Sequence, residues 1–161
     1  MIKKCCDLLQ YHHLTIGFIE SASAGYLCSQ FALYKNSGAD ILLGGLISYD
    51  PWIKIHILNI SARLIEQYTA ESKQVTEAMA RQGKILLRRA DIVVACTGLL
   101  KSGGSATEIK PEGTFFISIL YLNNSYNFDY FILDTAEKRL ILLTEYVAEA
   151  IITIIEGLHW W

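Results

Sequence analysis

Leu14-Thr15-Ile16-Gly17-Phe18-Ile19 runs directly into Glu20-Ser21-Ala22-Ser23-Ala24-Gly25, and this passage decides the architecture. The strand predicted over Leu14–Ile19 passes through a turn of small residues into a helix predicted over Ser23–Lys35. A strand that hands over to a helix in this way opens an α/β unit, and in such sheets ligands gather outside the carboxyl ends of the strands. Ser21 then stands at a strand end, where a nucleophile is exposed, and the helix start offers N–H groups to an anion. The plainer use of Ser21 or Ser23 is to cap that helix.

Outward from this passage the alternation continues. A first helix is expected over Lys3–His13, and a second strand over Ile41–Tyr49. Pro51 suits the start of a short helix that carries Lys54 and His56. Ser61 fits the N-cap of a helix through Tyr68, and a long helix follows over Glu71–Arg89 with Val75, Ala78, Met79, Gln82 and Leu86 on one face. Asp91–Cys96 is a β-branched apolar run suited to a buried strand, and Thr97–Gly113 is a glycine-bearing loop ending near Pro111. Gly113–Leu122 and Tyr126–Asp134 form a hairpin around Asn123-Asn124-Ser125, and a last helix covers Ala136–Gly157. The expected fold is a three-layer α/β/α sandwich with a mixed, mainly parallel sheet, in one domain over residues 1–161.

Composition narrows the function. Apolar residues make up 52% and charged residues 19%, which excludes a disordered chain. A formal charge of −2, with no basic run carrying aromatics, argues against a nucleic-acid binder. The mean hydropathy of +0.30 is high for a small soluble monomer, and buried strands plus a subunit contact account for it. A homodimer or larger homo-oligomer is therefore expected, and the terminal Trp160-Trp161 pair is a place for such packing.

The greasiest stretch, Leu140–Leu158, is interrupted by Glu145, Glu149 and Glu156 and repeats at helical spacing. It reads as an amphipathic helix and not a membrane span. Met1–His13 lacks an apolar signal-peptide core, so a cytoplasmic location is expected. Cys5, Cys6, Cys28 and Cys96 have no metal-ligand spacing and read as free thiols. Neither a metal nor a cofactor is expected.

Three strand-to-helix or strand-to-loop junctions carry candidate chemistry: Glu20–Gly25, Ser48–Lys54 and Thr97–Gly104. Tyr49 falls at a strand end, and Lys54 one turn into the next helix. A lysine shielded from water loses its proton near neutral pH and serves as a base for serine. Burial against Trp52, Ile53 or nearby strand ends is a source of that shielding. Thr97-Gly98 and Gly103-Gly104-Ser105 supply backbone N–H donors, although neither a Walker pattern nor a G-x-G-x-x-G motif is present.

In order and spacing these segments resemble the CinA C-terminal domain, the nicotinamide-nucleotide amidase family. That family carries A-E-S-C-T-G-G, then G-G-x-x-x-Y-S-N-E-A-K, then T-G-I-A-G-P-x-G-G and K-P-x-G-T. Here the counterparts are Glu20-Ser21-Ala22-Ser23-Ala24-Gly25, Gly44-Gly45 through Tyr49 to Lys54, Thr97-Gly98 with Gly103-Gly104, and Lys110-Pro111-Glu112-Gly113-Thr114. The resemblance implies hydrolysis of nicotinamide mononucleotide to nicotinate mononucleotide and ammonia. It also implies Ser21 as nucleophile, Lys54 as base, and Tyr49 as proton relay or orienting hydroxyl. Glu20, Ser23, Gly25, Thr97, Gly98, Gly103 and Gly104 would contact the substrate. Asp50-Pro51-Trp52-Ile53 and Leu99-Leu100-Lys101-Ser102 depart from the family pattern. Two other readings stay open: a member that binds a nucleotide or protein partner without catalysis, and an amidase for another small carboxamide.

Overall fold

A computed structural model describes residues 1–34 and 38–158. Twelve elements follow in order among these residues: α1 (Ile2–Tyr11), β1 (Ile16–Glu20), α2 (Tyr26–Leu33), a 3-10 turn (Gly38–Asp40), β2 (Leu42–Ile47), α3 (Pro51–His56), α4 (Ala62–Tyr68), α5 (Lys73–Leu86), β3 (Ile92–Gly98), β4 (Thr114–Tyr121), β5 (Asn124–Phe131) and α6 (Ala136–Leu158). The strands form one sheet in the order β2-β1-β3-β4-β5. β1 pairs in parallel with both β2 and β3, whereas β3–β4 and β4–β5 are antiparallel. Four strands thus point one way and only β4 opposes them, which is the mixed, mainly parallel sheet expected. The terminal Trp160-Trp161 pair lies outside the described residues.

Every residue of β1 is buried, as a strand covered on both faces must be. One face is covered by α1, α2 and α6, whose Leu9, Leu27, Phe31, Leu143, Val147 and Ile151 pack on Phe18 and Val94. The other is covered by α5, where Val75, Met79 and Ala80 meet Ile19, Val93 and Ala95. These are the three layers. α6 buries the face its spacing predicts, and among the described residues no helix is long and apolar enough to cross a membrane. The buried face of α5 differs from expectation: it holds Thr76 and Gly83, while Leu86 is exposed. A Cβ on Gly83 would stand 2.4 Å from Ile19 Cγ1, so the helix lies against the sheet along its smallest residue.

The hairpin between β4 and β5 also differs from the reading above. Tyr121 pairs with Asn124, which leaves Leu122 and Asn123 as the two turn residues and puts Asn124 and Ser125 in the strand. Both turn residues have positive φ, 49° and 64°, the geometry of the two-residue turn that follows the strand twist. Asparagine tolerates that region, and a leucine there is strained. Leu122→Asn is therefore expected to raise unfolding free energy by about 0.5–1 kcal/mol, measured by urea denaturation.

Candidate active site

The parallel pairing of β1 with β2 brings two of the three junctions together. Glu20 pairs with Ile47, and Ser48 N donates to Glu20 O at 2.7 Å. The chain then turns into α3, where Asp50 is the N-cap: its carboxylate accepts from Trp52 N at 2.7 Å, and Pro51 occupies the first turn. The departure at Asp50-Pro51 is thus a helix start in its own right. One turn later Lys54 reaches back beneath the strand ends.

Lys54 is 1% exposed. Its Nζ lies 2.8 Å from Ser21 Oγ, 3.3 Å from Tyr49 O, and in short contact with Ser48 O. Burial lowers its pKa to about 8, and the negative charges of Glu71 and Asp50 oppose this only in part. Three acceptors around a neutral amine have a simple solution. Its two hydrogens serve the two carbonyls, and its lone pair faces the Ser21 hydroxyl. The shielding comes from Ser21, Ser48 and the strand ends, and not from Trp52. That ring is 57% exposed and stacks on His56 at 4.6 Å between centroids.

The first junction corrects the expectation for Glu20. Its carboxylate is 1% exposed and accepts from Gly25 N (3.0 Å), Leu27 N (3.1 Å) and Cys28 N (2.7 Å). Glu20 therefore caps α2 from five residues upstream, and neither Ser21 nor Ser23 performs that task. The helix start is closed to an outside anion, because the chain's own carboxylate already sits there. Gly25 (φ 93°) gives its amide to Glu20 and faces away from the Ser21 cavity. Glu20→Ala is expected to cost about 2–4 kcal/mol of stability, since one buried and two part-buried amides lose a charged acceptor; Glu20→Gln should cost less. Urea midpoints of the two variants check both.

Ser21 opens into a cavity of about 440 Å³, within the size range of small-molecule sites, that it shares with Ala22, Ala24, Tyr49, Glu71, Gly98 and the 99–104 loop. The amides of Ser21, Ala24 and Gly25 are spent inside the fold, on Cys96 O, Ser21 O and Glu20 respectively. That of Ala22, next to Ser21, bonds to no described group, whereas that of Ser23 is directed at the Cys96 sulfur. Ser23 itself is buried, and its hydroxyl lies against the Cys96 thiol. Burial pushes that thiol up to about 12, so it stays protonated. Tyr49 lines the cavity with an exposed side chain, and its contact with Lys54 is through the carbonyl.

The third junction divides. Thr97 is fully buried, and its hydroxyl bonds Thr76 Oγ1 at 2.8 Å; the Thr76 hydroxyl gives its hydrogen to Ser72 O, so Thr97 is the donor. Thr97 therefore ties β3 to α5 and turns away from the cavity, contrary to the substrate contact expected of it. Gly98, Gly103 and Gly104 do line the cavity. Gly103 and Gly104 have φ of 106° and 60°, which glycine adopts without strain. Sequence reasoning missed Glu71, which falls before α5 and not inside it. It also missed the bonds that fix it: Ser105 Oγ donates to Glu71 Oε2 at 2.5 Å, and Lys110 Nζ donates to Ser105 Oγ, Glu71 O and Thr69 Oγ1 at 2.7–2.8 Å. The one available signal was Lys110, in the K-P-x-G-T segment.

Comparison with known proteins agrees with this architecture. The chain is similar to the "CinA-like protein" of Colwellia psychrerythraea, 34% identical over 68% of this chain and 25% of that protein. It is also similar to the "CinA-like protein" of Thermotoga neapolitana, 34% identical over 75% of this chain and 30% of that one. It thus spans about a quarter to a third of the length of these relatives. The CinA superfamily protein of Escherichia coli has the same fold, with a TM-score of 0.85 at 22% identity over 96% of this chain and 90% of that one. The family model of the CinA C-terminal domain matches residues 1–157, and the chain belongs to that family.

Proposed function

We propose that the chain hydrolyses the carboxamide of nicotinamide mononucleotide to nicotinate mononucleotide and ammonia. The observation that carries this reading is the buried Lys54 amine 2.8 Å from Ser21 Oγ at the edge of a ligand-sized cavity. Neutral Lys54 takes the Ser21 proton as Oγ attacks the amide carbon. The oxyanion that forms lies beside the free amide of Ala22. The Lys54 ammonium then gives its proton to the departing nitrogen, and ammonia leaves an acyl-Ser21 ester. Water, activated by Lys54, hydrolyses the ester and frees the carboxylate. The Tyr49 side chain, on the cavity wall, orients the amide, and Gly98, Gly103 and Gly104 let the nucleotide approach the backbone.

The test is ammonia release from nicotinamide mononucleotide by the purified chain, with product identified by chromatography. Turnover supports the reading, and its absence at millimolar nucleotide refutes it. The wall formed by Leu99–Ser102 favours a second reading, an amidase for another small carboxamide. A panel of carboxamides in the same assay separates the two.

A further inference from the structure

The cavity beside Ser21 has two charged residues in its lining, Glu71 and Lys101. They are held very differently. Lys101 is an exposed side chain on the loop, free to follow a ligand. Glu71 is half-buried and fixed: Ser105 holds Oε2, and Lys110 holds both Ser105 and the Glu71 carbonyl. Lys110 bonds two hydroxyls and a carbonyl and meets the carboxylate only through space, so among the described residues no cation pairs with it within bonding distance. No described group donates to Oε1. A carboxylate locked in place by its own scaffold, with one oxygen unclaimed beside a cavity, attracts a positive charge on whatever enters.

Resting on the amidase reading above, we propose that Glu71 is a specificity residue that selects a carboxamide attached to a cationic ring. The oxidised pyridinium of a nicotinamide nucleotide carries such a charge and its reduced dihydropyridine counterpart does not, while amide, ribose and phosphate are the same in both. Glu71 would therefore distinguish the redox states of one nucleotide, with the Ser105–Lys110 pair as the positioning support that keeps the carboxylate at its station. Ser105 and Lys110 do not touch the substrate in this scheme. They act through Glu71.

The experiment measures affinity and turnover separately. Calorimetric titration of Ser21→Ala with oxidised and reduced nicotinamide mononucleotide reads recognition without hydrolysis, and the same titration is run on Ser21→Ala/Glu71→Gln. The first protein is expected to bind the oxidised nucleotide about tenfold more tightly than the reduced one, and Glu71→Gln to remove most of that ratio. Ser105→Ala should reduce the ratio in part, with the melting temperature checking that the variant is folded. A ratio that survives Glu71→Gln overturns the inference, as do an equal loss for both nucleotides, which would mark a ribose contact, and a failure to bind either. Ammonia release by the Ser21 protein is measured alongside. Discrimination without turnover sinks the amidase reading and leaves the role of Glu71 standing; turnover without discrimination does the reverse.

Discussion

Under the proposed amidase reaction, Ser21→Ala is expected to lower ammonia release by at least about 10⁴-fold while the protein stays folded, because no neighbouring group replaces the attacking oxygen. The sulfur of Cys96, whose carbonyl accepts from Ser21 N, is fully buried and protonated, so it gives no substitute nucleophile. The Ser21 hydroxyl makes one side-chain bond, to Lys54, and Lys54 keeps the Ser48 and Tyr49 carbonyls when it is lost. The stability change should therefore stay within about 1 kcal/mol. Steady-state ammonia release and a urea titration measure the two quantities. Wild-type turnover in the variant would remove the serine mechanism.

Lys54 gives the second large effect, and its sign follows from its burial. A base must be neutral, and with a pKa of about 8 about one lysine in ten is neutral at pH 7 and half are at pH 8. The rate constant kcat/KM is expected to climb with pH through about 8 and then level off, well below the ordinary lysine range. Lys54→Arg should lose about 10³-fold or more although the charge is kept, because arginine stays protonated. Lys54→Met should be as inactive.

Stability moves in its own way. The folded pKa lies below the unfolded value, so the unfolded state binds more protons between about pH 8 and 10.5. Wild type should therefore gain stability as pH rises through that window, and the gain is lost again as pH falls through 8. Lys54→Met should lack this dependence and be at least as stable near pH 7. Rate profiles and melting temperatures at pH 7 and pH 9 decide the matter. Robust activity in Lys54→Arg would take this residue out of the mechanism.

The layer order and the Ser21–Lys54 pair could be read before any coordinates, because both rest on patterns that survive in one dimension. Buried strands are continuous apolar runs, and a junction motif keeps its order along the chain. Glu20 could not be read this way. Its amides lie five to eight residues downstream, and the turn that returns them depends on Gly25 at positive φ. Thr97 failed for a related reason, since alternation along β3 points its hydroxyl toward α5 and away from the cavity. The face of α5 was misjudged because Gly83, its closest approach to the sheet, carries no hydrophobic signal. Glu71 was hidden by a boundary error: assigned to a helix, it looked like an ordinary first-turn acid.

The sheet order carries a consequence for how the protein is made. β1 leaves the ribosome before β3, yet it is sandwiched between β2 and that later strand, and Ser21 N is docked on Cys96 O at 2.9 Å. During synthesis Ser21 waits, at the end of a strand with one open edge, until β3 has followed. The β4–β5 hairpin, by contrast, closes from adjacent residues on a microsecond scale and has only to add its edge to β3. The β1–β3 ladder is thus the long-range pairing that fixes Ser21, and a nascent chain arrested before β3 leaves that serine undocked.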